Sequence, residues 1–467
     1  MSNKCRLMFF LGIFASGIAA QSQTLATEID PTPASSGTAP VTQDTLAAAA
    51  SDELETLTSV EQGVTPIDYS FAPITREEWV RETRRQAFRD TKFYGELRSF
   101  YMDSDNLNGS VNQAWALGGS LGFKTGYFRD LFAFGATGYT SQPLYAPADR
   151  GGTQLLTSSQ QGYTVLGEAY MDILLSERVT ASVGLKEYNT PFLSGFDARM
   201  TPNTFEAVAV QGNLGGDDGA PGWRFGAGYA DKIKLRNSDE FESMATAAGA
   251  PAGVSRGVGV AGAVYTHGDL YLGAIEYYSS DIINIAYLEA KDAFALSEHL
   301  RLQVAAQYSD QRSVGEDLLK GHPFSANQLG LKAELAFART LLTAAYTRTG
   351  NGSSIQSPWS ANPGYTTVQV ESFDRAGEDA WMLRAAYKFR IVKGLTAYAL
   401  YVHGSQPEAS NQYAQDEYDL NLQWKATSGK AQGLTLLARY AYVTQASAGE
   451  PIAHQIRLVL YYTPPWL

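Results

Sequence analysis

Residues 381–390 read WMLRAAYKFR. Trp381, Leu383, Ala385, Tyr387 and Phe389 fall on one side of an extended chain, and Arg384, Lys388 and Arg390 on the other, because successive side chains of a strand point to opposite faces. Such a segment suits a strand with lipid against one face and water against the other. The same alternation, broken by turns, recurs from about residue 92 to the C-terminus. In hydrocarbon an open sheet edge leaves unmade backbone hydrogen bonds at a cost of several kcal/mol each, so the strands must close on themselves. The fold class is therefore all-β: a transmembrane antiparallel β-barrel with its function in the lumen or the loops.

Eighteen segments carry the pattern, near 92–102, 113–124, 131–140, 163–175, 178–187, 204–212, 223–235, 256–266 and 270–279, then 282–290, 300–309, 328–338, 340–348, 380–390, 394–403, 415–425, 433–443 and 453–463. An even count is what a single-chain bacterial barrel needs. The gaps tend to alternate in length: those at 176–177, 339 and 391–393 are short, whereas 141–162, 188–203, 236–255, 310–327 and 349–379 are long, with 125–130, 213–222 and 426–432 longer than ideal turns and 279–282 short for a loop. Short periplasmic turns and long extracellular loops produce that rhythm. Trp223, Trp381, Trp424, Tyr401, Tyr442 and Tyr462 fall near strand ends on the apolar face, where aromatic rings sit at lipid headgroups.

Composition agrees with this reading. The 467 residues include 44 Gly and 27 Tyr, and only 18% are charged. No internal run reaches the roughly 18 apolar residues of a membrane-crossing helix. Lys4 and Arg6 precede an apolar run from Leu7 to Ala20, with small residues at Gly17/Ala19 and Thr24/Ala26, the pattern of a secretory signal peptide over 1–26. Cys5, the single cysteine, precedes that run, so the chain after it has no thiol for a disulfide, a metal site or a nucleophile.

Residues 27–75 carry Glu28, Asp30, Asp44, Asp52, Glu53, Glu55, Glu61 and Asp68 and no Lys or Arg, a composition that predicts disorder. The net charge of −12 divides into +2 over 1–26, −8 over 27–75 and −6 over the remainder. Residues 76–90, REEWVRETRRQAFRD, are basic and suit a short helix ahead of the first strand. The expected organisation is therefore a signal peptide over 1–26, an acidic segment over 27–90 and a barrel over 91–467.

With the apolar faces outward, Arg98, Lys186, Arg224, Lys232, Arg301, Lys332, Arg384, Lys388, Arg390, Arg439 and Arg457 face inward. Glu96, Glu168, Asp172, Glu334 and Asp419 share that face. A lumen so charged separates ions and draws solutes of complementary sign. The alternative is that opposite charges on adjacent strands pair within a solvated wall.

Residues 181–212, ASVGLKEYNTPFLSGFDARMTPNTFEAVAVQG, resemble the strand, inward-folding third loop and following strand of OprD-type outer-membrane porins. The family's Asp-x-Arg-x-x-Pro-x-Thr-Phe-Glu pattern is carried by Asp197, Arg199, Pro202, Thr204, Phe205 and Glu206. GELRSFYMDSD (95–105) is similar to the family's first strand and turn, and YLGAIEYYSSDIINIAYLEA (271–290) to its central hairpin. The resemblance implies eighteen strands and inward-folded constriction loops. It also implies a row of lumen Arg and Lys residues guiding the carboxylates of amino acids, dipeptides or organic acids. Asp197, Arg199, Thr204 and Glu206 are then the constriction-loop residues. Asp197 and Arg199 either set a local field there or pair with each other or the wall. Loop 349–379 matches no family motif.

Two enzyme-like patterns occur. Gly118–Gly122 fits G-x-S-x-G and Gly257, Gly259 and Gly262 fit G-x-G-x-x-G, but both lie in alternating strands without the helix either motif needs. His267, His299, His322, His403 and His454 show no metal-ligand spacing. The expectation is a passive diffusion channel of a Gram-negative outer membrane, favouring small carboxylate-bearing solutes. Its partners would be solutes and lipid, with no cofactor and no nucleic acid, as a monomer or trimer. The alternative is a barrel enzyme or adhesin acting through its loops.

Overall fold

The computed structural model describes residues 82, 84–216, 220–405, 407, 413–446 and 451–465, so the signal peptide and nearly all of the acidic segment lie outside the described residues. Of the stretch 76–90, Glu82 is helical, residues 84–90 form turns, and the remainder lies outside the described residues. The turns are held to the barrel by a Gln86–Tyr127 bridge and by the Arg85 guanidinium donating to the carbonyl of Lys124.

The strands are β1 (Lys92–Asp105), β2 (Val111–Lys124), β3 (Phe132–Tyr145), β4 (Tyr163–Ser176), β5 (Val179–Lys186), β6 (Thr204–Gly215) and β7 (Gly222–Lys234). A short strand β8 (Phe241–Ser243) and a one-turn helix α1 (Met244–Ala248) follow. The wall continues with β9 (Val258–His267), β10 (Leu270–Ser279), β11 (Ile283–Ser297), β12 (Leu300–Arg312), β13 (Ser325–Phe337) and β14 (Thr340–Thr349). It ends with β15 (Asp379–Lys388), β16 (Leu395–Gly404), β17 (Gln415–Lys425), β18 (Leu434–Gln445) and β19 (Ile452–Tyr462). Each wall strand pairs antiparallel with the next, and β1 pairs with both β2 and β19. The short β8 adds only to the end of β7, which otherwise pairs with β9. The result is a closed antiparallel barrel of eighteen strands.

All eighteen segments read from the sequence are strands. The largest difference is β11, which runs on from 290 to Ser297. There Lys291 and Asp292 stand side by side and the apolar/polar rhythm lapses, while the backbone ladder to β12 continues without it. The two faces of β15 show how the alternation is used: Leu383 is 55% exposed toward lipid, whereas Arg384 beside it is 3% exposed toward the lumen.

The G-x-S-x-G stretch lies inside β2. Gly119 has φ +146° there, and a Cβ on it would sit 1.9 Å from the Glu96 carbonyl oxygen of β1. Close strand approach, rather than a nucleophile elbow, requires that glycine.

The turns on one side are as short as two residues, at 177–178, 268–269, 298–299 and 338–339. On the other side the connections 146–162, 187–203, 235–257 and 350–378 are long, although 106–110 and 280–282 are brief. Three long loops share an apolar core: Phe192 and Leu193 from 187–203, Met244 and Ala245 of α1, and Trp359 from 350–378, packed on Tyr277 and Ile285 of the wall. The Trp359 indole donates to the Met244 carbonyl at 3.1 Å. This shared core ties the loops together at the mouth.

Candidate functional site: the constricted lumen

Loop 187–203 is pinned to the wall by one guanidinium. Arg98 of β1 makes a bidentate pair with Asp197, Nη1 to Oδ1 at 2.6 Å and Nη2 to Oδ2 at 2.8 Å. Its Nε and Nη2 donate to Glu96 at 3.0 and 2.6 Å, Nη1 also donates to the Arg199 carbonyl, and the group stacks on the Tyr461 ring. A planar five-donor fork suits this many acceptors at once. Asp197 is therefore paired with the wall and not with Arg199, whose guanidinium instead donates to the carbonyls of Thr153 and Ala198.

Loop 350–378 folds inward and meets the wall at two places, β11 and β17. Tyr365 donates its hydroxyl to Glu289 of β11 at 2.9 Å, and Glu289 also pairs with Lys291 at 3.0 Å. At its tip, the amides of Val370 and Glu371 donate to Glu417 of β17, each at 2.8 Å. Between the two loops lies a cavity of about 830 Å³. Arg199, Arg236, Arg439 and Arg457 line it on one side, and Tyr271, Glu289, Lys291 and Lys332 also border it.

Arg199 and Arg236, the two that lie outside the strands, sense the neighbouring guanidiniums. Burial, then repulsion from Arg236 and Arg439, lowers the pKa of Arg199 well below its ordinary value. Arg236 is pushed down to about 10 by burial, with Arg457 adding to it. Its Nη1 is buried without a hydrogen-bond partner, while Nη2 reaches Gln154 and the group stacks on Phe196. At the start of loop 187–203, Glu187 is raised to about 7, first by burial and then by Asp197, with Glu168 adding a smaller push.

The residues singled out from the sequence divide into groups. Arg199, Lys332, Arg439 and Arg457 border the cavity. Arg98 is the loop clamp described above. Lys186 at the end of β5 pairs with Asp172 at 2.7 Å, Arg301 near the turn end of β12 with Asp269, and Lys332 with Glu334 at 3.1 Å. Arg384 lies buried in the wall near Glu334 and Thr343 and against the Tyr398 ring. Arg224 sits near the turn end of β7, in register with Asn213 and Val264. Lys388 is the last residue of β15, at the turn end.

Other placements differ from the sequence reading. Arg390 lies outside the lumen, exposed in the turn between β15 and β16, because the strand ends at Lys388. Thr204 and Glu206 belong to β6 and not to the constriction loop. Thr204 is buried, while Glu206 shares the outward face with Val208 and pairs there with Lys232 at 2.9 Å, so neither charge of that pair faces the lumen. A β-bulge at Glu206/Ala207 sets β7 one residue out of step at this point and carries Lys232 to the outer side.

Arg236, Tyr365 and Gln369 border the cavity and were not expected there. All three lie outside the strands, where no alternation assigns a face. Arg236 does continue a basic alternation, with Lys232 and Lys234 preceding it, and that is the one local signal.

A closed barrel with loops folded across a charged lumen defines a membrane diffusion channel. The description "outer membrane porin, OprD family" fits residues 86–466 of the sequence. The chain belongs to the OprD family of outer-membrane porins, and its place is the outer membrane. Several crystal structures share the fold. Pseudomonas aeruginosa OccK9 (OpdG) is 23% identical, with 81% of this chain and 99% of that one covered and a TM-score of 0.72. Pseudomonas aeruginosa OpdK with vanillate is 21% identical over 81% and 99%, TM-score 0.69. Acinetobacter baumannii OccAB3 is 18% identical over 81% and 100%, TM-score 0.72. No curated protein gives a significant sequence match.

Proposed function

We propose that this porin favours small solutes bearing a carboxylate, such as amino acids, dipeptides or organic acids. The observation that carries the reading is the convergence of Arg199, Arg236, Arg439 and Arg457 on one side of the constricted lumen. Guanidinium forks match carboxylate geometry, and a charged path between low-dielectric walls concentrates solutes of opposite sign. Tyr271 and Tyr365 on the cavity border give an aromatic or aliphatic solute body apolar surface to slide along. OpdK, a barrel of this fold, was solved with vanillate, itself a carboxylate, which supports the reading by analogy.

The test is the reversal potential of single channels in a salt gradient, together with liposome swelling in organic acids, amino acids and neutral sugars of matched size. Wild type is expected to prefer anions and to admit the acids faster. Arg199→Glu and Arg236→Glu should shift the reversal potential toward cation preference, whereas Arg390→Glu, in the exposed turn, should leave it nearly unchanged. Equal swelling rates for acids and sugars would sink the reading.

A further inference from the structure

We infer that Glu417 and Asp419 are positioning residues that set the width of the pore by holding the tip of loop 350–378 through its main chain. Both side chains lie on β17, two residues apart and so on one face of the strand, and both are buried. Glu417 accepts from the amides of Val370 and Glu371, one at each carboxylate oxygen and each at 2.8 Å. Asp419 accepts from the amide of Gln369 at 3.3 Å. From β19, Arg457 donates Nη2 to the Gln369 carbonyl at 2.7 Å. Three successive amides and one carbonyl of the loop are thus held from the wall. Val368, Gln369 and Val370 border the cavity, so whatever holds them also fixes one edge of the pore.

Two carboxylates at adjacent positions of one face repel and are expensive to keep from water. Converging main-chain N–H groups offset that cost with charge-assisted bonds, and here the loop supplies them. The loop amides thus share that task with Arg439 and Arg457, which face Asp419 from the neighbouring wall. Releasing the loop removes an obstruction and at the same time exposes two acids to the lumen. Pore size is a separate property from the carboxylate preference proposed above, and either can fail without the other.

Two sets of variants test it, read by single-channel conductance and by the size limit for neutral sugars in liposome swelling. Glu417→Ala with Asp419→Ala should raise conductance at least about twofold and admit larger sugars, as expected when a constricting element leaves a channel. Val370→Pro deletes one amide donor while leaving every wall residue unchanged, and it should move both readings in the same direction by less. Gln415→Ala loses only a side-chain contact with Glu371 at 3.4 Å and should change neither. Folding of each variant is checked by heat-modifiable migration on gels. Folded Glu417/Asp419 and Val370 variants with the parent conductance and size limit would overturn the inference. So would an equal rise in Gln415→Ala, which would mean that any disturbance loosens the loop.

Discussion

The two loops that narrow the lumen differ in what their strongest anchor grips. Loop 187–203 is held through one of its own side chains: Arg98 grips Asp197 in a bidentate pair and takes the Arg199 carbonyl with the same fork. Loop 350–378 is held at its tip by main-chain groups, which meet Glu417, Asp419 and Arg457. A side-chain anchor requires a particular residue on the loop, so it leaves a motif. A main-chain anchor requires only a non-proline residue, since every such residue carries an amide, and it leaves none on the loop. The wall residues carry the requirement instead.

The largest effect should come from cutting the side-chain anchor. Arg98→Ala leaves Asp197 and Glu96 without their cation, and breaking a buried pair from one side costs about 3 kcal/mol. The expected result is release of loop 187–203, seen as increased conductance with frequent flicker and faster protease cleavage within 187–203. Asp197→Asn retains a hydrogen-bond acceptor for Arg98 and should give the same changes more weakly.

A smaller effect should follow pH through loop 350–378. Asp374 lies in that loop, bonded to Asn362, and burial raises its carboxyl from 3.8 to about 6, with Glu378 and Glu371 adding to the push. Because the folded pKa is the higher, the folded loop keeps a proton that the unfolded loop gives up. Its contribution is full below pH 3.8 and is lost as pH rises through about 6. Current noise from this loop should therefore increase between pH 4 and pH 7, and Asp374→Asn should remove much of that rise. The noise of wild type staying constant over the range would break the link.

The smallest effect is expected at Val370. Its amide carries the anchor, so Val370→Ala should alter stability by no more than about 0.5 kcal/mol and leave the loop held. A large change there, measured by thermal melting and single-channel recording, would erase the distinction between the two anchors.

The same contrast separates legible residues from hidden ones. The WMLRAAYKFR segment and its seventeen counterparts were legible because alternation is a local record of two solvents, lipid and water, acting on one strand. Asp197 and Arg199 were visible because the loop bearing them carries specific side chains. Lys232 was misplaced by a single bulge, since one extra residue in β7 reverses the face of every later side chain in that strand, whereas Glu206 was assigned to the loop by the motif and belongs to β6. Arg236 and Gln369 escaped because loop residues have no period to assign them a direction.

The sequence by itself determined the closed barrel, its eighteen strands, the lipid-facing surface and the pool of basic residues available to the lumen. These result from short-range periodicity and from the need to satisfy every backbone group in hydrocarbon. Only the tertiary structure decided which cations pair within the wall, which four gather at the constriction and how the second loop is held. Those outcomes depend on side chains meeting across more than one hundred residues of chain, as Arg98 does with the carbonyl of Arg199, and on main-chain donors that every sequence possesses.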